Sequence, residues 1–399
     1  MPLFGAKTAL AADSEPKSLW ERIIGITPVL LTVVATLLAG LSSSEMTQAQ
    51  FYGARAAQQQ SKAGDQWNFF QAKRIRGSNL ELAVDLLPPA GDVSPESLQI
   101  TLEHLQAACQ KLQKQREGLT AAFTNEKESD PKTRSGAGPL LQQFGKQLDD
   151  VQKLQEQLVK QIQVTETRKS LQVVAGRELP AEEKAKEHPA PIPEAIQTLK
   201  SRKVSAEARE KIAQIPVDQV KQAIEADEAV AQAFNDLVKP FGRTADSFGE
   251  TLIKVDKTVN ACYRTARELE TSEGVPSSQK KSVAECAAEA LFAKTIADEL
   301  TSDFKAARHD FKAKTYEREA RINEELAWLY EIQVTRSDVT AERHRHRSRF
   351  FFYGMLASQA GVTIASLALA VRHKNLLWST ATIAGIGAMI FSAYIYFSF

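Results

Sequence analysis

The chain has 399 residues, 50 basic and 49 acidic, with 43% hydrophobic and 25% charged positions. So even a charge balance excludes a dedicated nucleic-acid binder, which carries a basic excess. The three cysteines, Cys109, Cys262 and Cys286, are odd in number and form no CxxC pair. That excludes a disulfide framework or a zinc site and leaves small buried side chains at helix contacts.

Apolar character is unevenly distributed. Residues 1–22 are a mostly polar tail containing Asp13, Glu15 and Glu21. An apolar run, Ile23 to Leu41, follows, and is about the length needed to cross the roughly 30 Å core of a bilayer. It is long for the core of a signal peptide, so it reads as a retained anchor, with Ser42-Ser43-Ser44 beyond it. Pro28 is expected to kink it.

Residues 43–87 hold good helix formers and no proline. They read as a polar continuation of the first membrane helix, projecting roughly 65 Å if helical throughout. Pro88-Pro89 ends this segment, and Ser94-Pro95-Glu96 is a helix start, with serine as N-cap and proline in the first turn.

A helical hairpin is expected over 97–172. Leu98, Leu102, Leu105, Cys109, Leu112, Arg116, Leu119 and Phe123 alternate spacings of four and three, a heptad stripe that Arg116 alone interrupts. Asn125 to Pro139 is a polar turn. A second stripe follows, Leu141, Phe144, Leu148, Val151, Gln155, Leu158 and Ile162. Two stripes joined by a short connection point to antiparallel, coiled-coil-like packing.

Residues 176–193 read as an extended linker, with Pro180, Pro189, Pro191 and Pro193 among charges. A helical region covers 194–272, broken near Pro216 and Pro240, and Gly274-Val275-Pro276 ends it. From Ser277 to Arg349 there is neither glycine nor proline. This predicts a stalk helix of roughly 110 Å, which needs partners along its length. It runs into a second apolar segment, 350–371, and a third, 376–397, lies beyond the polar turn Arg372-His373-Lys374-Asn375. The fold class expected is therefore an all-α membrane protein with three transmembrane helices, a long antiparallel helical stalk and a helical hairpin.

With one crossing before the central region and another ending it, both stalk helices leave the same membrane face and run antiparallel. Counted outward, Trp67 and Trp328 then stand at heights of roughly 39 and 33 Å. An aromatic clasp of Trp67, Phe69, Phe70, Trp328 and Tyr330 is expected there, with Lys73, Arg74 and Arg76 beside Glu317, Glu319, Glu324 and Glu325.

Two stretches carry a family resemblance. Asp65-Gln66-Trp67 followed by Gln71-Ala72-Lys73, after a first membrane helix, and the histidine-arginine run Arg343 to Arg347, ahead of two final spans, resemble the bacterial membrane proteins grouped as domain of unknown function 4337. The resemblance spans roughly 20–85 and 280–399, with the middle resembling an insertion. It implies a multi-pass bacterial membrane protein with a helical extramembrane part, and no assigned activity.

Arg343, His344, Arg345, His346, Arg347 and Arg349 form a basic collar at headgroup level, suited to anionic lipid. His344 and His346, two apart on a helix, cannot share a metal within one chain. Small residues Gly354, Ala357, Gly361, Ala365 and Ala368 line one face of the second span, and Ala381, Ala384, Gly385 and Ala388 one face of the third. Such faces pack helices closely, within the hairpin or between chains. No phosphate-binding loop, GxGxxG, HExxH or GxSxG is present, so no catalysis, cofactor, metal or small-molecule substrate is expected. No ionisable residue lies at mid-depth in the spans, which argues against an ion pathway. Lys7, Lys17 and Arg22 favour a cytoplasmic N-terminus with the central region outside, whereas the basic collar at 343–349 favours the reverse; the resemblance implies a bacterial inner membrane. The leading expectation is a self-associating helical scaffold, with lipid and a second copy or partner helices as contacts. A signalling module working through the long helix comes next, and a channel or transporter subunit third.

Overall fold

Helix formers run between widely spaced breakers, so the chain folds into helices as long as those intervals. A computed structural model describes residues 19–87, 94–125, 134–175, 188–201, 204–371 and 374–398. Among these residues all regular structure is α-helical: α1 (Leu19–Asp85), α2 (Pro95–Asn125), α3 (Arg134–Gln163), α4 (Thr165–Ala175), α5 (Pro191–Lys200), α6 (Ala206–Ala213), α7 (Val217–Thr271), α8 (Lys280–Ala370) and α9 (Lys374–Ser398). The break at Pro88-Pro89, most of the turn after Asn125, residues 176–187 of the linker, Lys7 and Lys17 of the tail and Arg372-His373 lie outside the described residues.

Several boundaries differ from those read in the sequence. The region 194–272 does not break at Pro240, which sits inside α7. Proline removes one backbone hydrogen bond and costs about 3 kcal/mol in a helix interior. Here Phe234, Val238, Ala245 and Phe248 bury one continuous face on either side of it, and that burial outweighs the loss. Pro216 does mark a boundary, between α6 and α7. The last residues of the expected linker are helical, because Pro191 and Pro193 occupy the opening turn of α5, where a missing N–H costs nothing. Likewise α3 starts at Arg134, ahead of Pro139. Pro28 lies inside α1, which continues through it.

The described chain falls into two compact units. One takes the chain up to Ala63, His188–Lys221 and Trp328 onward; the other takes Gly64–Glu187 and Gln222–Ala327.

In the first unit the apolar parts of α1, α8 and α9 pack together. Leu31 meets Ala365 and Ala381, and Leu38 meets Phe351 and Ala388. Buried positions on α8 repeat at spacings of three and four: Phe351, Gly354, Ser358, Gly361, Ala365 and Ala368. Gly361 eases the close approach there. A Cβ on it would lie 3.2 Å from the Ala381 carbonyl oxygen and 3.4 Å from Leu31 Cδ1. Leu31 also presses on Gly385. The small-residue faces are therefore used inside the chain, with Ser358 in the stripe and Ala357 only half-buried. Outside this seam the helices are apolar and exposed, as at Val29, Leu30, Leu37, Leu367, Ile383 and Ile390. Only 28, 28 and 22% of the three apolar windows is buried within the chain. The remaining surface suits hydrocarbon and not water, and these three helices are long and apolar enough to span a membrane.

In the second unit both leucine stripes are interior. Leu98, Leu102, Leu105, Cys109, Leu112 and Leu119 of α2 are buried, as are Leu141, Phe144, Leu148, Val151, Gln155, Leu158 and Ile162 of α3. α2, α3 and α4 pack on one another. Arg116, the interruption in the first stripe, lies against Gly145, whose missing side chain makes the room it occupies. Gln155 donates to Cys109 Sγ at 3.5 Å.

Candidate membrane-junction site

The chain leaves its apolar segments at Leu41 on α1 and at Phe350 on α8, and the first buried residue beyond each point is a serine. Ser42 and Ser348 are buried there and bond reciprocally. The Ser42 hydroxyl donates to the Ser348 carbonyl at 3.0 Å, and the Ser348 hydroxyl donates to the Ser42 carbonyl at 2.9 Å. Only side chains this small let two backbones approach closely enough for such an exchange.

Farther along α1, Glu45 Oε2 lies 2.6 Å from His344 Nδ1, with side-chain exposures of 12 and 15%. The His344 ring stacks on Tyr52 with centroids 5.5 Å apart and planes 2° from parallel. Then Ser337 donates to Gln59 Oε1 at 2.9 Å, both residues being buried. Along the same side of α1 stand Ala49, Ala56 and Ala63, all buried and seven residues apart. The inward face of α1 thus continues at heptad spacing from the apolar segment into polar sequence, with alanine in place of leucine. Arg336 is half-buried nearby, and its burial, with Arg55 close by, pulls its pKa below the usual guanidinium value.

The six residues of the expected collar do not act alike. His344 turns inward onto Glu45 and Tyr52. Arg343 ion-pairs with Glu210 of α6. His346 sets its ring edge-on to Phe350, with centroids 4.6 Å apart. Arg347 is half-buried. Arg345 and Arg349 are exposed, and with Arg343, His346 and Arg209 of α6 they line a cleft of about 400 Å³. Among the described residues no group of three His, Cys, Asp or Glu side chains is placed to hold a metal.

The aromatic residues of the expected clasp divide between the units. In the second unit Trp67 packs edge-on to Phe70 with centroids 5.7 Å apart, while Phe69 is exposed. Lys73 ion-pairs with Glu319, as expected, and lies over the Tyr316 ring; Glu317 takes Arg321 instead. In the first unit Trp328 receives the Lys200 ammonium at 5.9 Å and Tyr330 the Lys62 ammonium at 5.6 Å.

Apart from Arg336, the perturbed titratable groups among the described residues lie in the second unit. All three cysteines are free and buried. Burial pushes Cys109 up to about 11 and Cys286 up to about 12, and raises Cys262 further. These thiols are packing groups and not nucleophiles. Asp256 of α7 shares a hydrogen bond with Asp298 of α8. Burial, then that bond and the second negative charge, raise Asp256 to about 6. Burial opposes ionisation of Asp298 too, but the Lys294 ammonium at 2.8 Å and the bond from Asp256 take it below the usual carboxylate range. His309 is held low by burial and by Arg308, Lys312 and Lys305.

Several of these junction residues escape a search for apolar stripes: Ser42, Glu45, Tyr52, Gln59, Ser337 and Ser348. Their signal is the seven-residue recurrence of small residues at 42, 49, 56 and 63. Arg209 and Glu210 have no such signal, because only tertiary packing brings α6 to α8.

Residues 20–158 match the family described as Domain of unknown function (DUF4337). The match includes Asp65-Gln66-Trp67 and Gln71-Ala72-Lys73. It also extends through α2 into α3, past the point where an insertion was expected to begin, while the expected similarity over 280–399 lies outside it. No curated protein and no solved structure matches the chain.

Proposed function

We propose that the protein is a membrane-anchored helical scaffold in which two helices of a three-helix bundle in the bilayer continue into extramembrane sequence. One observation carries this reading. α1 and α8 each pass without interruption from a span-length apolar segment into polar sequence, and the reciprocal Ser42–Ser348 bonds join them at that point. We infer that the two helices run antiparallel as a stalk. The partners 31 with 361, 38 with 354, 42 with 348, 45 with 344 and 59 with 337 support this, since numbers fall on α8 as they rise on α1. The pairs 116 with 145 and 109 with 155 support the same arrangement for the α2–α3 hairpin.

Self-association stays part of the reading, but on other surfaces than those first suggested. The Leu98–Phe123 stripe and the Gly354–Ala368 face are both engaged within one chain. Lipid-facing residues or the outer faces of the long helices are left for contact with a second copy or a partner helix. The family resemblance points to a bacterial inner membrane; the basic residues before the first span favour a cytoplasmic N-terminus with the central region outside, against the opposite pull of the basic run at 343–349. Labelling of a cysteine placed within residues 126–138 by an impermeant reagent checks that orientation.

The test is cross-linking mass spectrometry in native membranes together with the mass of the detergent complex. Inter-copy or partner cross-links along α1 and α8 are expected. A strict monomer with no cross-linked partner refutes scaffolding. A second reading, a signalling module transmitting through α8, is favoured by the seating of Glu45, His344 and Tyr52 at the junction, where a shift at one helix is felt by the other. A channel or transporter subunit has the weakest support, because Leu31 fills the space against Gly361 and Gly385.

A further inference from the structure

We propose that the cleft between α6 and the membrane-proximal end of α8 is a binding site for the phosphate of an anionic lipid headgroup. Its walls are Arg209 and Glu210 on α6, and Glu342, Arg343, Arg345 and Arg349 on α8. Four guanidinium groups thus face two carboxylates. Arg343 is engaged with Glu210, an ion pair that also ties α6 to α8. Arg209, Arg345 and Arg349 have no carboxylate partner among the described residues, so three planar donors converge on the cleft uncommitted. Arg345 and Arg349 are four apart and share a face of α8. At about 400 Å³ the cleft accommodates a headgroup.

Its depth selects the source of the phosphate. Arg349 directly precedes the apolar segment, and Phe352 and Tyr353, 46 and 58% exposed, follow at once. Outward aromatic rings at that position mark the bilayer interface, where lipid phosphates are concentrated. A free phosphate has no comparable reason to accumulate there. Glu342, on the same wall, is an acceptor for a headgroup hydroxyl, which points to a hydroxyl-bearing anionic headgroup over a choline one.

The inference rests on the membrane-spanning reading, and the two fail separately: whether the chain requires detergent for extraction is read before any lipid is added. Native mass spectrometry of the detergent-solubilised full chain then measures retention of phosphatidylglycerol, of phosphatidylcholine with the same acyl chains, and of inorganic phosphate. The wild type is expected to retain phosphatidylglycerol preferentially. The double variant Arg345→Gln/Arg349→Gln should lower that retention about 25-fold, at about fivefold for each lost basic group. Glu210→Gln, which frees Arg343, should raise it. Arg264→Gln, an exposed arginine of α7, controls for net charge and should leave it unchanged. Equal retention of the two lipids, wild-type retention by the double variant, or an equal loss in Arg264→Gln overturns the proposal. So does displacement of phosphatidylglycerol by millimolar inorganic phosphate, which would make the occupant a soluble anion. A double variant that melts well below the wild type is replaced by Arg209→Gln, for which about a fivefold loss is expected and wild-type retention overturns the proposal.

Discussion

Replacing Ser337 with alanine tests how the α1–α8 seam is held. Ser337 and Gln59 are 5 and 8% exposed, and one hydrogen bond of 2.9 Å joins them. Alanine removes the donor and strands the Gln59 carbonyl oxygen in a place water does not reach. Stranding a buried polar atom costs about 1–3 kcal/mol, whereas removing both partners together is close to neutral. Ser337→Ala should therefore raise local opening of the helix pair by about fivefold to about 150-fold, and Ser337→Ala/Gln59→Leu should restore most of the protection. Hydrogen exchange with mass spectrometry on the detergent-solubilised chain reads this directly, through peptides around residues 59 and 337. Unchanged exchange in Ser337→Ala, or a double variant less protected than the single one, refutes the argument that polar satisfaction governs the seam.

Asp256→Asn should change the pH dependence of stability. Its folded pKa, about 6, is raised above the ordinary 3.8, so the stabilisation belongs to the protonated acid. It is complete below about pH 4 and is lost as pH rises through about 6. At face value the shift corresponds to about 3 kcal/mol, and solvent screening at a half-exposed carboxyl reduces it to about 1 kcal/mol. The variant should melt a few degrees above wild type at pH 8 and level with it at pH 4; the same difference at both pH values contradicts the assignment. Gly361→Leu should destabilise the bundle by about 1–3 kcal/mol through overpacking, while Gly387→Leu, with open space around it, should be tolerated. Thermal melts in detergent compare the two, and equal effects count against the packing described. Cys109, Cys262 and Cys286 should resist maleimide at pH 8 in the folded chain and react in denaturant. Prompt labelling of the native protein would place them elsewhere than in the core.

How legible these features were in the sequence depended on what the seam is made of. In α2 and α3 it is leucine, and a period of alternating three and four gave every buried position of the second stripe, Gln155 included. In α1 beyond Leu41 it is Ser42, Ala49, Ala56, Gln59 and Ala63, and hydropathy registers none of it. Close approach of two backbones there replaces area burial by large side chains, so the buried face is small and polar. The basic run at 343–349 was visible as charge. Its division into an inward His344, a paired Arg343 and a cleft lined by Arg345 and Arg349 was not, because that depends on which helices lie alongside.

The sequence by itself determined the helical class, three segments of bilayer length, and helix ends wherever a breaker lacks tertiary support. Length, hydropathy and the missing N–H of proline are local properties of the chain. Only tertiary structure decided that α7 continues through Pro240, that Gly145 yields to Arg116, that Glu45 meets His344, and that α6 supplies Arg209 and Glu210 beside α8. Each of these depends on residues distant in sequence whose contact energy exceeds the local preference, and no window of neighbouring residues contains that information.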